Sequence, residues 1–557
     1  MTAAHRPAPP ARFFDLLRSP VPTWVFGLEE PGTRLAQLKR LGALAAEHPE
    51  CVDATLGLAR WSWTISPLMP ETAAALSGLD RQVPFLSPRC RALLNTLTPR
   101  LHLDLDVADW RVLLDSGETG LLVKHLMPRL RNPESAVFWL SRSWDHLLRL
   151  GNADLAATVV GATHWPDDLA PLRERLLAEW AFHFLPPDEA FEYLKRIPDE
   201  IWGPWATALR AELLLRAGEA EAAVGELRAT REALPWDPGA TLRLHARTLG
   251  RAAPATPGAD VCVLLYSWNK ADLLDATLRD LAACDLGGAR VFALDNGSTD
   301  HMGETMRRAG ERFAQRFGPG RFTVVRLPVN VGAPAARNWL LSLPEVRACR
   351  WAAFLDDDVA LAGDWLPRLL GHALAAPDDT ACVGCRITSA GTPRALQSAD
   401  YHLFEPGGAS GFRDLSEHIA VYDNCDDGLD LGLHGYVRPA ISVSGCCHLL
   451  RMDAVRAVGG FDIRFSPTQF DDLERDLRCG LAGYGVRYAG DVVVRHIQHS
   501  SLARASSTAS VGHVFGNKIK LEGKYDETAV RELARRHADE LWDDLARKCA
   551  ELDDAAG

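Results

Sequence analysis

VCVLLY (261–266), RVFALD (290–295), FTVVRL (322–327) and WAAFLD (351–356) are four short β-rich runs within one stretch of the chain. An amphipathic segment follows each, starting near Asp272, His301, Ala333 and Gly363. Strands alternating with helices imply crossover units and a largely parallel sheet. Further strands are expected near ACVGCRI (381–387), AISVSGCCHLL (440–450) and VRYAGDVVVRH (486–496). The fold class here is α/β.

Upstream, from about residue 12 to 248, the pattern is different. Leu, Ala and Trp recur at spacings of three and four with Arg and Glu between them, which predicts helix after helix. In Trp205–Pro238 one helix carries Leu209, Leu213 and Leu214, Gly218 makes a turn, and a second helix carries Ala222, Ala223 and Leu227. This pair resembles a tetratricopeptide repeat, with a degenerate copy expected over Asn152–Ile197. A plain helical bundle is the competing reading. Pro, Gly and Ala crowd GRAAPATPGA (250–259), and the chain turns polar and helical again from Ser506. The expected organisation is an all-helical, partly tetratricopeptide-like domain over 1–250 and a linker over 251–259. An α/β domain over 260–505 and a C-terminal helical extension over 506–557 follow. Glu532–Leu552 has a periodic apolar face before an acidic tail, and reads as a solvated surface helix.

A chain of 557 residues has material for several domains. Its 61 Lys and Arg against 73 Asp and Glu give a net charge of -12, poorly suited to a nucleic-acid backbone as main partner. No apolar run approaches the roughly 20 residues needed to span a bilayer, and the N-terminus lacks an apolar leader core. Twelve Cys are too sparse for a disulfide scaffold, so free thiols and a cytoplasmic location are expected.

Ligands of an open parallel sheet bind beyond the carboxyl ends of its strands. Those ends carry Ser267-Trp268-Asn269-Lys270, then Asp295-Asn296-Gly297-Ser298-Thr299-Asp300. Asn330 to Asn338, containing Arg337, follows the third run, and Asp356-Asp357-Asp358 ends the fourth. A single acidic strand end would be an ordinary helix cap. Polar groups at all four are harder to assign to capping. Three adjacent carboxylates raise one another's pKa and call for a cation, and hard oxygen ligands favour Mg²⁺ or Mn²⁺. Residues 356 and 358 of an extended segment share a face. A solvated acidic turn is the bland alternative.

The succession of Asn269, Leu294 to Asp300, Asn330-x-Gly332 with Arg337, and Phe354 to Asp358 resembles a family 2 glycosyltransferase with the GT-A fold. Ser444-Gly445, Arg451 to Ala454, Val458 to Asp462, Phe470 to Arg478 and Val494-Arg495-His496 extend the resemblance over about 260–505. It implies a nucleotide-sugar site built from Ser267, Asn269, Asp295, Asn296, Arg337, Asp356 and Asp357. It implies a Mn²⁺ or Mg²⁺ site at Asp358, Asp356 and His496, with His499 as competitor. It implies a catalytic pair Asp471-Asp472, in which Asp472 is the base and Glu474 and Asp476 are nearby rivals. The implied activity is metal-dependent, inverting transfer of a sugar from a nucleotide-diphosphate donor to a glycan or protein acceptor hydroxyl. A noncatalytic scaffold, with a helical protein-binding domain fused to an inactive transferase fold, is the alternative. The N-terminal helices are expected to bind a protein partner or to self-associate.

Other signals are weaker. Cys382-x-x-Cys385 has metal-pair spacing but reads as a strand with buried thiols, and the adjacent Cys446-Cys447 would ligate awkwardly. Tyr422–Gly435 fails as a calcium loop, with Cys425 at the third position and His434 at the twelfth, and reads as a loop near the acceptor. No P-loop or HExxH motif is present.

Overall fold

The computed structural model describes residues 10–406, 418–423, 425, 428–497 and 508–555. His499 lies outside them, as do Asn424, Asp426 and Asp427 of the expected acceptor loop. The chain forms two compact units, one of Met1–Trp24 with Leu28–Leu244 and one of Val25–Gly27 with His245–Gly557.

The first unit is helical throughout its described residues. Helices Asp199–Arg216 and Ala220–Ala233 pack as a pair, and Gly218 takes φ 83° between them. The left-handed conformation at the turn is one that glycine adopts without steric cost. Trp202, Trp205, Leu209 and Leu213 are buried on the first of these helices, Ala223 and Leu227 on the second.

The second unit holds strands β1 (Val261–Ser267), β2 (Arg290–Asp295), β3 (Phe322–Arg326), β4 (Trp351–Leu355), β5 (Val359–Ala360) and β6 (Thr380–Ser389). They are followed by β7 (Leu396–Ser398), β8 (Tyr401–Leu403), β9 (Val421–Asp423), β10 (Val437–Ala440), β11 (Cys447–Arg451) and β12 (Gly485–His496). The main sheet runs β10-β12-β6-β11-β4-β1-β2-β3, with β5 on β12 and β7 on β6, while β8 and β9 pair separately. Helices Ala271–Ala283, Met302–Phe317, Ala333–Ser342 and Trp365–Ala375 follow the first four runs as expected. The sheet is mixed rather than largely parallel. β3, β2, β1 and β4 are parallel, but β11 runs antiparallel between β4 and β6. Strand direction depends on which neighbour a run pairs with, and the run AISVSGCCHLL does not encode that.

This topology decides what meets at one edge. β6 and β12 are parallel to each other, and both are oriented like β4, because two reversals through β11 restore the direction. The carboxyl ends of β1, β2, β4 and β12 therefore share an edge with the start of β11. Below that edge, Val263, Leu265, Val291, Ala293, Ala353 and Leu355 are buried in a core shared with Leu274, Leu278 and Trp365 of the flanking helices. Full burial of such side chains contributes about 1.5–3 kcal/mol each, which holds the strand ends in register.

Cys382 and Cys385 are buried on β6 as expected, and no disulfide joins the described cysteines. The C-terminal helix Glu527–Asp554 is not merely a solvated surface helix. Its stripe of Val530, Leu533, Leu541, Trp542, Leu545, Cys549 and Leu552 is buried, with Val530 and Leu533 packed in a cluster with Leu477 and Phe465. The spacing revealed the stripe; what it packs against is set by tertiary structure. Among the described residues, no helix is long and apolar enough to cross a membrane.

Candidate active site

At the first strand end, Ser267 Oγ donates to Asp357 Oδ2 at 2.6 Å. Lys270 Nζ stands 3.0 Å from Asp357 Oδ1 and 3.1 Å from Asp358 Oδ2. Ser267 is in register with Asp295 on β2. Asp295 Oδ1 accepts from the Ser298 backbone N–H at 2.9 Å, and Ser298 Oγ accepts from the Asn269 N–H at 3.0 Å. Asn269, at φ 53°, accepts in turn from the Thr299 N–H at 2.8 Å. Asn296 Oδ1 accepts from the Val331 N–H, and its amide donates to Asn330. Gly297, at φ 75°, lets these two loops meet, since a Cβ there would run into the Val329 backbone. Ser267, Asn269, Asp295, Asn296 and Asp357 thus stand on hydrogen-bonded strand ends, while Arg337 and Asp356 lie outside this set.

The acidic run splits by partner. Asp357 faces Ser267 and Lys270, while Asp356 and Asp358 both approach His496. His496 Nε2 lies 2.9 Å from Asp358 Oδ1 and 3.9 Å from Asp356 Oδ2. Two backbone bonds fix this meeting, from Asp356 N–H to the Cys446 carbonyl (2.9 Å) and from Ile497 N–H to the Asp358 carbonyl (2.8 Å).

Burial pushes the Asp356 carboxyl up to about 6, only partly offset by Arg337 and His496. Burial also raises Asp357, against the pull of Lys270. Asp358 is buried too, but the bond from His496 and the charges of His496 and Lys270 hold it below the usual carboxylate range. Mutual repulsion within the triplet, expected as the main cause, is secondary to burial. For His496 burial acts downward, yet the bond to Asp358 and the nearby carboxylates hold its pKa above the ordinary value.

These donors fit a divalent cation. Donor atoms of Asp356, Cys446 and His496 lie within 4.8 Å of one another, with Asp358 on the same imidazole. A buried carboxylate whose charge is resisted is one that a cation would relieve.

The acceptor-side pair divides as well. Arg337 Nη1 is 2.7 Å from Asp471 Oδ2, and Nη2 reaches the Gly445 carbonyl at 3.3 Å and Asp356 Oδ1 at 4.0 Å. Arg337 is thus a buried bridge between the acidic run and the helix Asp471–Leu481. Asp472 is half-buried, and its Oδ2 accepts from the Gly445 N–H at 2.9 Å. A Cβ on Gly445 would stand 2.9 Å from both Arg337 Nη2 and Asp472 Oδ2, so a side chain there would displace these two groups. Glu474 is buried against Arg478, Lys524 and Tyr525, and Asp476 against Arg475 and Ser442. Both rivals are tied into ion pairs, whereas Asp472 makes none among the described residues.

Three participants escape sequence reasoning. Lys270 was visible at its strand end as a cation beside a predicted carboxylate cluster. Gln397, on β7, accepts at Oε1 from His496 Nδ1 at 2.8 Å. Asn517 Nδ2 lies 3.1, 2.9 and 3.2 Å from the carbonyls of Phe465, Thr468 and Gln469, the loop leading into Asp471. No local pattern announces the last two.

Residues 262–428 match the family described as Glycosyl transferase family 2. The matched stretch contains the acidic run and ends before Asp471, Asp472 and His496. No curated protein matches the chain. Among solved structures it is similar to a mannosyltransferase, PcManGT from Pyrobaculum calidifontis, in complex with GDP-Man and Mn²⁺. The identity is 18%, the match covers 61% of this chain and 88% of that one, and the TM-score is 0.33. It is also similar to GalNAc-T7 with UDP, GalNAc and Mn²⁺ (12% identity, 50% of this chain, 54% of that one, TM-score 0.32). S. aureus TarS is a third (14% identity, 49% of this chain, 42% of that one, TM-score 0.32).

Proposed function

We propose that this chain transfers a sugar from a nucleoside-diphosphate donor to an acceptor hydroxyl, with inversion at the anomeric carbon. The observation that carries the reading is the Arg337 bridge. It ties the cation-ready cluster of Asp356, Asp358 and His496 to the helix turn bearing Asp472.

Asp295, with Asn269 and Asn296, would receive the base and ribose, and Asp356 and Asp357 the ribose side. Mn²⁺ or Mg²⁺, held by Asp356, Asp358 and His496, would stabilise the charge that develops on the leaving diphosphate. Lys270 adds fixed positive charge on the same side. Asp472 takes the proton of the acceptor hydroxyl as it attacks. Asp471 and Arg337 hold that helix turn, so the base is delivered by a rigid element. One carboxylate suffices for a single inverting displacement, and the spacing of a hydrolase pair is not required.

The acceptor belongs to the glycan or protein class, and the N-terminal helices supply a surface for a protein acceptor, another partner or self-association. The competing scaffold reading predicts partner binding without donor affinity. A thermal-shift screen of nucleoside diphosphates and nucleotide sugars, with and without Mn²⁺, separates the two, because a ligand of the folded state raises its stability. The expected result is a Mn²⁺-dependent shift that Asp358→Ala loses. No shift with any nucleotide would overturn the reading.

A further inference from the structure

The cation cluster contains a group that the donor-binding argument leaves unused. Cys446 sits one residue before β11, the strand that enters the shared edge antiparallel. Its carbonyl accepts from the Asp356 N–H, so its backbone is fixed to the acidic run. Its Sγ belongs to the same 4.8 Å group of donor atoms as an Asp356 oxygen and a His496 nitrogen. Cys446 is buried, and burial with the nearby Asp356 and Asp358 charges keeps its thiol well above the ordinary range. A free thiol of that kind is chemically inert on its own.

We propose that the Cys446 thiolate is a ligand of the divalent ion at this site, alongside Asp356 and His496. The inference rests on the cation site of the proposed function and deepens it, because it fixes the class of metal. On binding, the S–H bond breaks, the proton leaves to solvent, and the sulfur lone pair forms the bond to the metal. No oxidant or reductant is involved. A mixed oxygen, nitrogen and sulfur donor set selects borderline metals over hard ones, since thiolate favours Zn²⁺ and Co²⁺ while Mg²⁺ demands oxygen. The site is therefore expected to rank Zn²⁺ and Co²⁺ above Mn²⁺, and Mn²⁺ above Mg²⁺.

Two neighbours bear on this role. The adjacent thiol, Cys447, has Cys385 as its side-chain partner in the buried face of β6 and β11. His496 is in turn oriented by Gln397, as metal-bound imidazoles generally are by an outer partner.

The test adds Co²⁺ to the metal-free full-length chain and reads the near-ultraviolet thiolate-to-cobalt charge-transfer band. Mn²⁺ uptake is followed separately by loss of the free-ion paramagnetic resonance signal. The expected result is a band in the native chain and in Cys385→Ser, and none in Cys446→Ser. That variant should bind Co²⁺ about tenfold or more weakly, the scale on which even outer-shell ligands act. Its retained Mn²⁺ uptake shows that it is folded. A band that survives in Cys446→Ser overturns the proposal, as does Co²⁺ displacing Mn²⁺ from the native chain without any band. In both cases Mn²⁺ binding stands and the transferase reading survives. Failure of the native chain to take up either ion overturns the cation site and the thiolate ligand together.

Discussion

Arg337 Nη1 lies 2.7 Å from Asp471 Oδ2, and both side chains are buried. Burial acts to raise the Asp471 carboxyl, and the guanidinium opposes it. Removing one partner of such a pair leaves the other as an uncompensated buried charge, at a cost of about 3–5 kcal/mol. Asp472, one residue on, has no such partner among the described residues. Asp471→Ala is therefore expected to lower stability by about that amount, read as a denaturant midpoint shift. Asp472→Asn should leave the midpoint within about 0.5 kcal/mol of native while donor turnover falls by about 100-fold or more. Equal losses of stability in the two variants would remove the division of labour between them.

His496 is oriented from behind. Gln397 Oε1 accepts from Nδ1, which directs Nε2 toward Asp358 and Asp356. Gln397→Leu removes the orienting acceptor without touching a donor atom. Mn²⁺ affinity is expected to fall about 10- to 100-fold by calorimetric titration, with little change in nucleotide binding measured without metal. An unchanged Mn²⁺ affinity would mean that packing alone fixes the imidazole.

These first two cases mark what could be read from the chain. Asp295, Asp356 and Asp358 were legible because carboxylates at the ends of apolar runs stand out against a buried sheet. His496 was legible only through the family resemblance, at the end of Val494-Arg495-His496. Gln397 was not, because β7 is three residues long and meets His496 only once β6 and β12 are paired in parallel. Cys446 read only as one of two adjacent cysteines that would ligate awkwardly, since its distance to Asp356 depends on β11 running backward. The choice among Asp471, Asp472, Glu474 and Asp476 was open for the same reason. Their partners Arg337, Arg475, Lys524 and Tyr525 come from near and distant parts of the chain alike.

The loop before the helix Asp471–Leu481 is held in an uncommon conformation. Gln469 and Phe470 take φ 83° and 67°, where side-chain-bearing residues pay about 1–3 kcal/mol each. The buried Asn517 carboxamide, reaching three carbonyls of that loop, is the evident restraint. Asn517→Ala should let the loop relax and displace Asp472. A displacement near 1 Å can cost about 100-fold, so kcat should fall toward that limit while the donor KM stays within about twofold. A parallel rise in KM with kcat intact would instead place Asn517 on the donor side.

A last expectation concerns acid. His402 is fully buried on β8, with Nε2 2.7 Å from Asp400 and Nδ1 2.9 Å from His537 on the C-terminal helix. Burial and the Arg438 charge push its pKa down to about 4, despite Asp400, and His537 is lowered as well. A histidine whose folded pKa is depressed is neutral in the fold and charged on unfolding below about 6.5. The unfolded chain then binds more protons, so stability is greatest above pH 6.5 and falls as pH drops toward 4. At about 1.4 kcal/mol per pH unit, His402 alone accounts for at most about 3 kcal/mol of that loss. Denaturant midpoints between pH 7 and 4 should show the decline, and His537→Gln should flatten part of it by removing one titrating ring. A midpoint that stays level across this range would show that both rings keep ordinary proton affinity in the fold.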